Sequence, residues 1–222
     1  MTSTIEQSFI KKILSENFSC IGAKASITKS SYEFYLLEKI ASEKSTHNLY
    51  ESLKSFTQKR QEINTHFASF IACFTNHNEI TPSQFEHLLW KQLYMLHQHD
   101  EFEWDSRVSD DINNPYFSFS IAGDAYFVIG MCPNHPRKCR EFPYPTLVFN
   151  SHHQFKYLKE INLFEKIKKI VRLRELQYSG SINPNLVDFG EQSEALQYSG
   201  LKALNGWKCP FRFDKKENSD VY

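Results

Sequence analysis

The stretch from Tyr116 to Met131, YFSFSIAGDAYFVIGM, limits the possible folds more than any other segment. Phe117, Phe119 and Ile121 alternate with small polar residues, so they share one face of an extended strand. A Gly123-Asp124 turn is expected next, with a return strand from Ala125 to Met131. Strands joined by so short a turn pair antiparallel. A further strand is expected at TLVFN, residues 146–150, a β-branched and aromatic run bounded by Pro145 and by Asn150-Ser151. SSYEFYLLE, residues 30–38, has the composition of another strand.

Helical periodicity surrounds these strands. Residues 5–17 read as a short amphipathic helix. From Ser45 the apolar residues Leu49, Leu53, Phe56, Ile63, Phe67, Phe70, Ile71 and Phe74 keep helical spacing, which predicts one long helix. Thr81-Pro82-Ser83-Gln84 combines a capping box with proline at the first helical position, and Phe85, Leu88, Leu89, Leu93 and Leu96 mark that helix's buried face. One or two helices are expected after His152. Helices thus precede and follow the strands without a regular βαβ rhythm. That predicts an α+β fold with a mainly antiparallel sheet and flanking helices, one domain over residues 1–213, with residues 214–222 as a solvated tail.

Charge and composition narrow the function. Twenty-six basic and 26 acidic residues cancel, so no global field recruits nucleic acid or a membrane surface. No stretch reaches the roughly 20 apolar residues of a membrane span, and the N-terminal segment lacks the apolar core of a signal peptide. Five cysteines without CxxC spacing suit reduced thiols, so a cytoplasmic location is expected. No Gly-rich phosphate loop, GxSxG or HExxH occurs. An aromatic content of 15% suits either a bulky core or a pocket for a flat ligand.

Three polar clusters fall at expected strand ends and turns. In NSHHQF, Asn150 or Ser151 can cap a helix that begins near His152. The helix dipole there disfavours imidazolium, and neutral imidazole is the form that ligates a metal. CPNHPRKCREF carries Cys132, His135, Arg137, Cys139 and Arg140, which is either a charged loop or a set of ligands beside guanidinium forks. DFGEQSE holds Asp188, Glu191 and Glu194, either a solvated face or a recognition site for a cationic amine or guanidinium. Cys20 is a thiolate candidate or a small buried residue. Cys73, Cys209, Trp90, Trp104 and Trp207 are expected in the core, and His97 and His99 near a helix end.

The order of several segments resembles the YqcI/YcgG family. These are FSCIGAKAS, LLWKQLYMLHQHDEFEWDSRVSDD, the hairpin running into CPNHPRKCREFPYPTLVFNSHHQF, INPNL, DFGEQSEALQYSG and WKCPF, together spanning about residue 18 to Phe211. The resemblance implies haem b as cofactor, and a haem-dependent oxygenase that hydroxylates or further oxidises a nitrogen of a small basic substrate: a guanidine, amine or aminoazole. It would use O2 and an external electron donor. A non-catalytic haem-binding or haem-sensing protein is the alternative. By the same resemblance His152 would be the proximal iron ligand, with His153 in a variable place and Cys20, Cys132 and His135 as alternatives. Arg137 and Arg140 would pair with the haem propionates, and Asp188, Glu191 or Glu194 would position the substrate. The chain departs from the family pattern at Cys132, where a histidine is expected, at Ser151, where proline is, and at Leu201, where many relatives have arginine.

Overall fold

The computed structural model describes residues 3–60, 67–76, 79–183, 185, 188–203 and 207–210. The last nine residues, expected to form a tail, lie outside the described residues. Five strands form one sheet in the order β1-β2-β5-β4-β3. They are β1 (Tyr32–Leu37), β2 (Ser69–Phe74), β3 (Phe119–Ile121), β4 (Asp124–Met131) and β5 (Thr146–Ser151). Only β1 and β2 run parallel; the other three pairings are antiparallel. Seven helices are described: α1 (Thr4–Leu14), α2 (Ile21–Thr28), α3 (Glu43–Arg60), α4 (Pro82–His99), α5 (His152–Glu160), α6 (Phe164–Ser179) and α7 (Ala195–Tyr198). The fold is α+β, as the sequence pattern implied, with α3 supplying the single crossover that a parallel strand pair needs.

Two local details differ from the sequence expectation. The long helix predicted from Ser45 to Phe74 is a helix that ends at Arg60 and a separate strand, Ser69–Phe74, while Ile63 lies outside the described residues. All six residues of β2 are buried, because β2 lies inside the sheet with both faces covered. A continuous apolar run of this kind carries no period of two, which is why it reads as helix. The hairpin turn sits one residue early, at Ala122-Gly123, both with positive φ (52° and 75°). Two consecutive left-handed residues make the turn that matches strand twist, and Gly123 takes that backbone without strain.

Strand alternation divides the interior in two. Phe70, Ala72 and Phe74 of β2, Leu147 and Phe149 of β5, and Tyr126 and Val128 of β4 face α3 and α4 and close a large aromatic core. Ile71, Cys73, Val148, Ile129 and Met131 face the other way, towards Phe9 and Ile13 of α1 and Ile27 of α2. The first core is filled. The second encloses open space.

Gly130 shows how tightly the first core is closed. A Cβ there would stand 2.6 Å from Leu89 Cδ1, 2.8 Å from Phe85 Cε1 and 3.0 Å from the Tyr198 carbonyl oxygen. Gly130→Ala should cost about 1–3 kcal/mol, typical of overpacking. Urea denaturation would read it as a lower midpoint with unchanged slope. An unshifted midpoint would mean that α4 and α7 yield without cost.

Candidate functional site

The second face of the sheet borders a cavity of about 690 Å3. That is within the ordinary range for small-molecule and cofactor sites. Its walls are largely apolar: Phe9 and Ile13 from α1, Phe127, Ile129 and Val148 from the sheet, and Leu158, Ile167 and Val171 from α5 and α6. Polar groups gather at separate places on this wall, and each traces back to a turn or helix end.

His152 is the first residue of α5. The helix begins there because Ser151 accepts a hydrogen bond from the backbone N–H of His153 (3.3 Å), as the sequence suggested. The His152 side chain is 18% exposed and borders the cavity. Phe155 and Phe189 stand edge-on to its ring at centroid distances of 5.9 and 5.1 Å. Its Nε2 lies 2.9 Å from Ser118 Oγ and 3.1 Å from Glu194 Oε2. Glu194 Oε1 accepts in turn from Ser118 Oγ (2.6 Å) and from the buried Tyr198 hydroxyl (2.7 Å). Burial, then the neighbouring carboxylate, pushes the Tyr198 phenol well above its ordinary value, so it stays a donor. Serine, histidine and glutamate thus meet, but not as a hydrolase triad. There the serine and the carboxylate occupy opposite ring nitrogens, whereas here both are on Nε2.

Around Arg137 the cavity wall is organised by Glu175. This buried α6 carboxylate accepts from Arg137 Nε and Nη2 (3.0 and 2.7 Å), from Cys139 Sγ (3.2 Å) and from Ser19 Oγ (2.9 Å). Burial opposes its ionisation, but the thiol, guanidinium and hydroxyl donors outweigh burial and hold it below the usual glutamate value. Arg137 also donates to the Ser181 carbonyl, and Arg140 donates to the carbonyls of Gly130, Tyr198 and Gln197 at 3.1 Å each. Both arginines border the cavity, with their guanidinium groups engaged by protein partners.

The other candidates separate clearly. Cys20 borders the cavity as the N-cap of α2, where its sulfur accepts from the Ala23 N–H (3.4 Å); burial raises its pKa and favours the thiol. Cys132 belongs to the opposite, filled core, where burial pushes its thiol up to about 12. His135 has both nitrogens occupied: Nε2 donates to the Ser199 carbonyl and Nδ1 accepts from the Arg137 N–H, each at 3.0 Å. Burial first, and Arg140 second, pull it down to about 4. Asp188 borders the cavity but is paired with Lys168 at 2.7 Å and Arg172 at 3.9 Å. Glu191 is exposed and accepts from the Asp188 N–H. The helix considered for GEQSEALQY is only the four residues of α7.

His153, adjacent to His152, belongs to a different network. Its Nε2 is 2.9 Å from Arg107 Nη1 and 3.5 Å from Asp124 Oδ1, beside Asp105 and Arg60. Periodicity and motif spacing did not single out Ser118, Tyr198, Glu175 or Arg107. Serine beside a strand and tyrosine among many aromatics carry no local signal. Among the described residues no three His, Cys, Asp or Glu side chains gather as a ligand set for a bare metal ion. No described helix is long and apolar enough to cross a membrane.

Glu175 makes a pH prediction. Its folded pKa lies below the unfolded one, so its stabilisation is complete above the ordinary value of about 4.3 and is lost as pH falls through the lower folded value. Glu175→Gln should cost about 3 kcal/mol at neutral pH, because Arg137 keeps its buried charge without a carboxylate. The variant should also lose part of the acid-induced fall in stability. Denaturation midpoints for both proteins between about pH 3 and 7 would test this, and parallel curves would remove Glu175 as the group responsible.

Residues 9–212 match the YqcI/YcgG family. The chain is 29% identical over 168 residues to the uncharacterized protein YqcI of Bacillus subtilis (strain 168), a match covering 69% of this chain and 66% of that one. It is 27% identical over 161 residues to the uncharacterized protein YcgG of the same organism, covering 67% and 63%. The matched part therefore falls just short of two thirds of either relative's length. No solved structure matches. The family match takes in α2, the hairpin, the β5–α5 junction and the Glu194 segment together, and the chain belongs to the YqcI/YcgG family.

Proposed function

We propose that this protein is a haem-dependent oxygenase that adds oxygen to a nitrogen of a small basic compound, using O2 and an external electron donor. The activity comes from the sequence resemblance. The observation that carries it to this chain is the apolar cavity of about 690 Å3 with His152 on its wall. A flat apolar macrocycle fits walls made of Phe9, Ile13, Phe127, Ile129 and Val148. The donor set fits as well. A metal-bound imidazole commonly gives its second nitrogen to a carboxylate, and Glu194 stands in that place behind His152.

When bound, haem iron supplies the activation of O2 after reduction. Everything else falls to the chain. His152 is the favoured iron ligand and Cys20 the remaining alternative, because Cys132 and His135 do not border the cavity. Lys156 and Lys159 also border it and suit the propionates better than Arg137 and Arg140, whose donors serve internal partners. Phe155 and Phe189 shield the His152 ring from water. Asp188 can receive a cationic substrate by exchanging its Lys168 partner, which keeps the site neutral until a basic nitrogen arrives.

Two measurements test the proposal. Haem-supplemented protein should show a sharp Soret band that His152→Ala abolishes or strongly alters and His153→Ala leaves nearly unchanged. Without such a band in the wild type, the haem reading fails. The reverse order of the variants would move the ligand to His153. In turnover mixtures of the reduced protein with O2 and arginine derivatives, amines or aminoazoles, mass spectrometry should find oxygen on nitrogen. Oxygen on carbon would overturn the reaction class, and no product from a reducible haem protein with a competent donor would favour the haem-sensing alternative.

A further inference from the structure

Glu194, expected to contact substrate, borders the cavity and also meets His152, at 5% side-chain exposure. We propose that Glu194, supported by Ser118 and Tyr198, is a positioning residue that locks neutral His152 in the Nε2–H tautomer, so that the ring offers an unprotonated Nδ1 at the cavity. What this means for a bound iron rests on the haem reading; the tautomer itself does not.

The lock follows from counting protons. The Phe119 N–H donates to the Tyr198 hydroxyl oxygen at 2.9 Å, so Tyr198 must place its one proton elsewhere. Glu194 Oε1 at 2.7 Å is a nearer acceptor than the Tyr126 carbonyl at 3.3 Å. Ser118 likewise has one proton, and Glu194 Oε1 at 2.6 Å is nearer than the Tyr126 carbonyl at 3.2 Å. Oε1 is then doubly satisfied. The Nε2 atom therefore faces two acceptors, the Ser118 lone pair at 2.9 Å and Glu194 Oε2 at 3.1 Å. A bare ring nitrogen there would set its lone pair against both. The proton belongs on Nε2, and a neutral imidazole has only one. Nδ1 has no hydrogen-bond partner among the described residues, and His152 borders the cavity. Nδ1 is thus the atom left for a metal, an electrophile or a substrate proton.

Changing one atom of Glu194 should reverse the tautomer. In Glu194→Gln the amide oxygen takes the Oε1 place and keeps the Tyr198 proton, while the Ser118 proton turns to Nε2. The amide N–H then points at Nε2 and requires its lone pair, which sends the ring proton to Nδ1. Ser118→Ala removes an acceptor but leaves the carboxylate, so the tautomer should hold.

Nitrogen NMR of the full chain, labelled at histidine and prepared without haem, reads this directly. At about pH 8.5, roughly two units above the ordinary imidazole value, the His152 cross-peaks should show Nε2 protonated and Nδ1 bare. His152→Ala identifies them by their loss. In Glu194→Gln the pattern should switch, and in Ser118→Ala it should persist. A wild-type ring protonated on Nδ1 overturns the proposal, and so does a Glu194→Gln ring that keeps the wild-type pattern. If Glu194→Gln fails to fold, the wild-type and Ser118→Ala spectra still decide whether the lock exists. Failure of the haem reading would appear separately, as a missing Soret band.

Discussion

Both faces of an interior β-sheet must be removed from water, and in this protein the two faces meet that constraint differently. Against α3 and α4 the sheet presents Phe70, Phe74, Phe149 and Tyr126, and interlocking rings fill the space. Against α1, α2, α5 and α6 it presents smaller groups such as Ile71, Val148 and Ile129, and the covering helices leave a cavity. Bulky side chains on one face make the closely packed half of the molecule. Shorter ones on the other leave room for a ligand. The site is thus a property of strand alternation carried across three neighbouring strands.

Buried carboxylates hold the cavity wall in place. Glu175 ties α6 to the loop after β4 and to Ser19 ahead of α2. Glu194 ties the segment before α7 to Ser118 beside β3 and to His152 at the start of α5. Each carboxylate joins segments far apart in the chain and is buried with several donors, which is the condition under which a buried charge is tolerated. The cavity is therefore bounded by covalently distant pieces with directional bonds between them. A wall built in this way keeps a side chain such as His152 in one orientation.

Opposite charges also neutralise one another around the cavity. Asp188 faces Lys168 and Arg172, Arg137 faces Glu175, and Arg107 faces Asp105 and Asp124. A charged ligand entering near these pairs would exchange partners with them. That suits binding of a polar molecule whose charge is compensated on burial, and it gives the aromatic pair around His152 the task of excluding water.

Local chemistry alone determined much of this protein. The Thr81 capping box, the hairpin strands, the TLVFN strand and the Ser151 cap at the start of α5 were legible because each depends on neighbours within a few residues. His152 was set apart from His153 only by the family resemblance, since both histidines fall in the first turn of the capped helix. The strand Ser69–Phe74 was not legible, since burial on both faces erases the alternation that marks a strand. Nor could sequence tell which polar residues were already spent. Glu194 reads as a free acid in a polar run until Ser118 and Tyr198 arrive from 76 residues before it and four after it. His135, an alternative iron ligand by sequence, and Arg140, an expected propionate partner, meet backbone carbonyls of Ser199 and Tyr198 that no local pattern announces. Hydrogen-bond partners separated by so much chain are chosen by packing, and only the tertiary structure decided them.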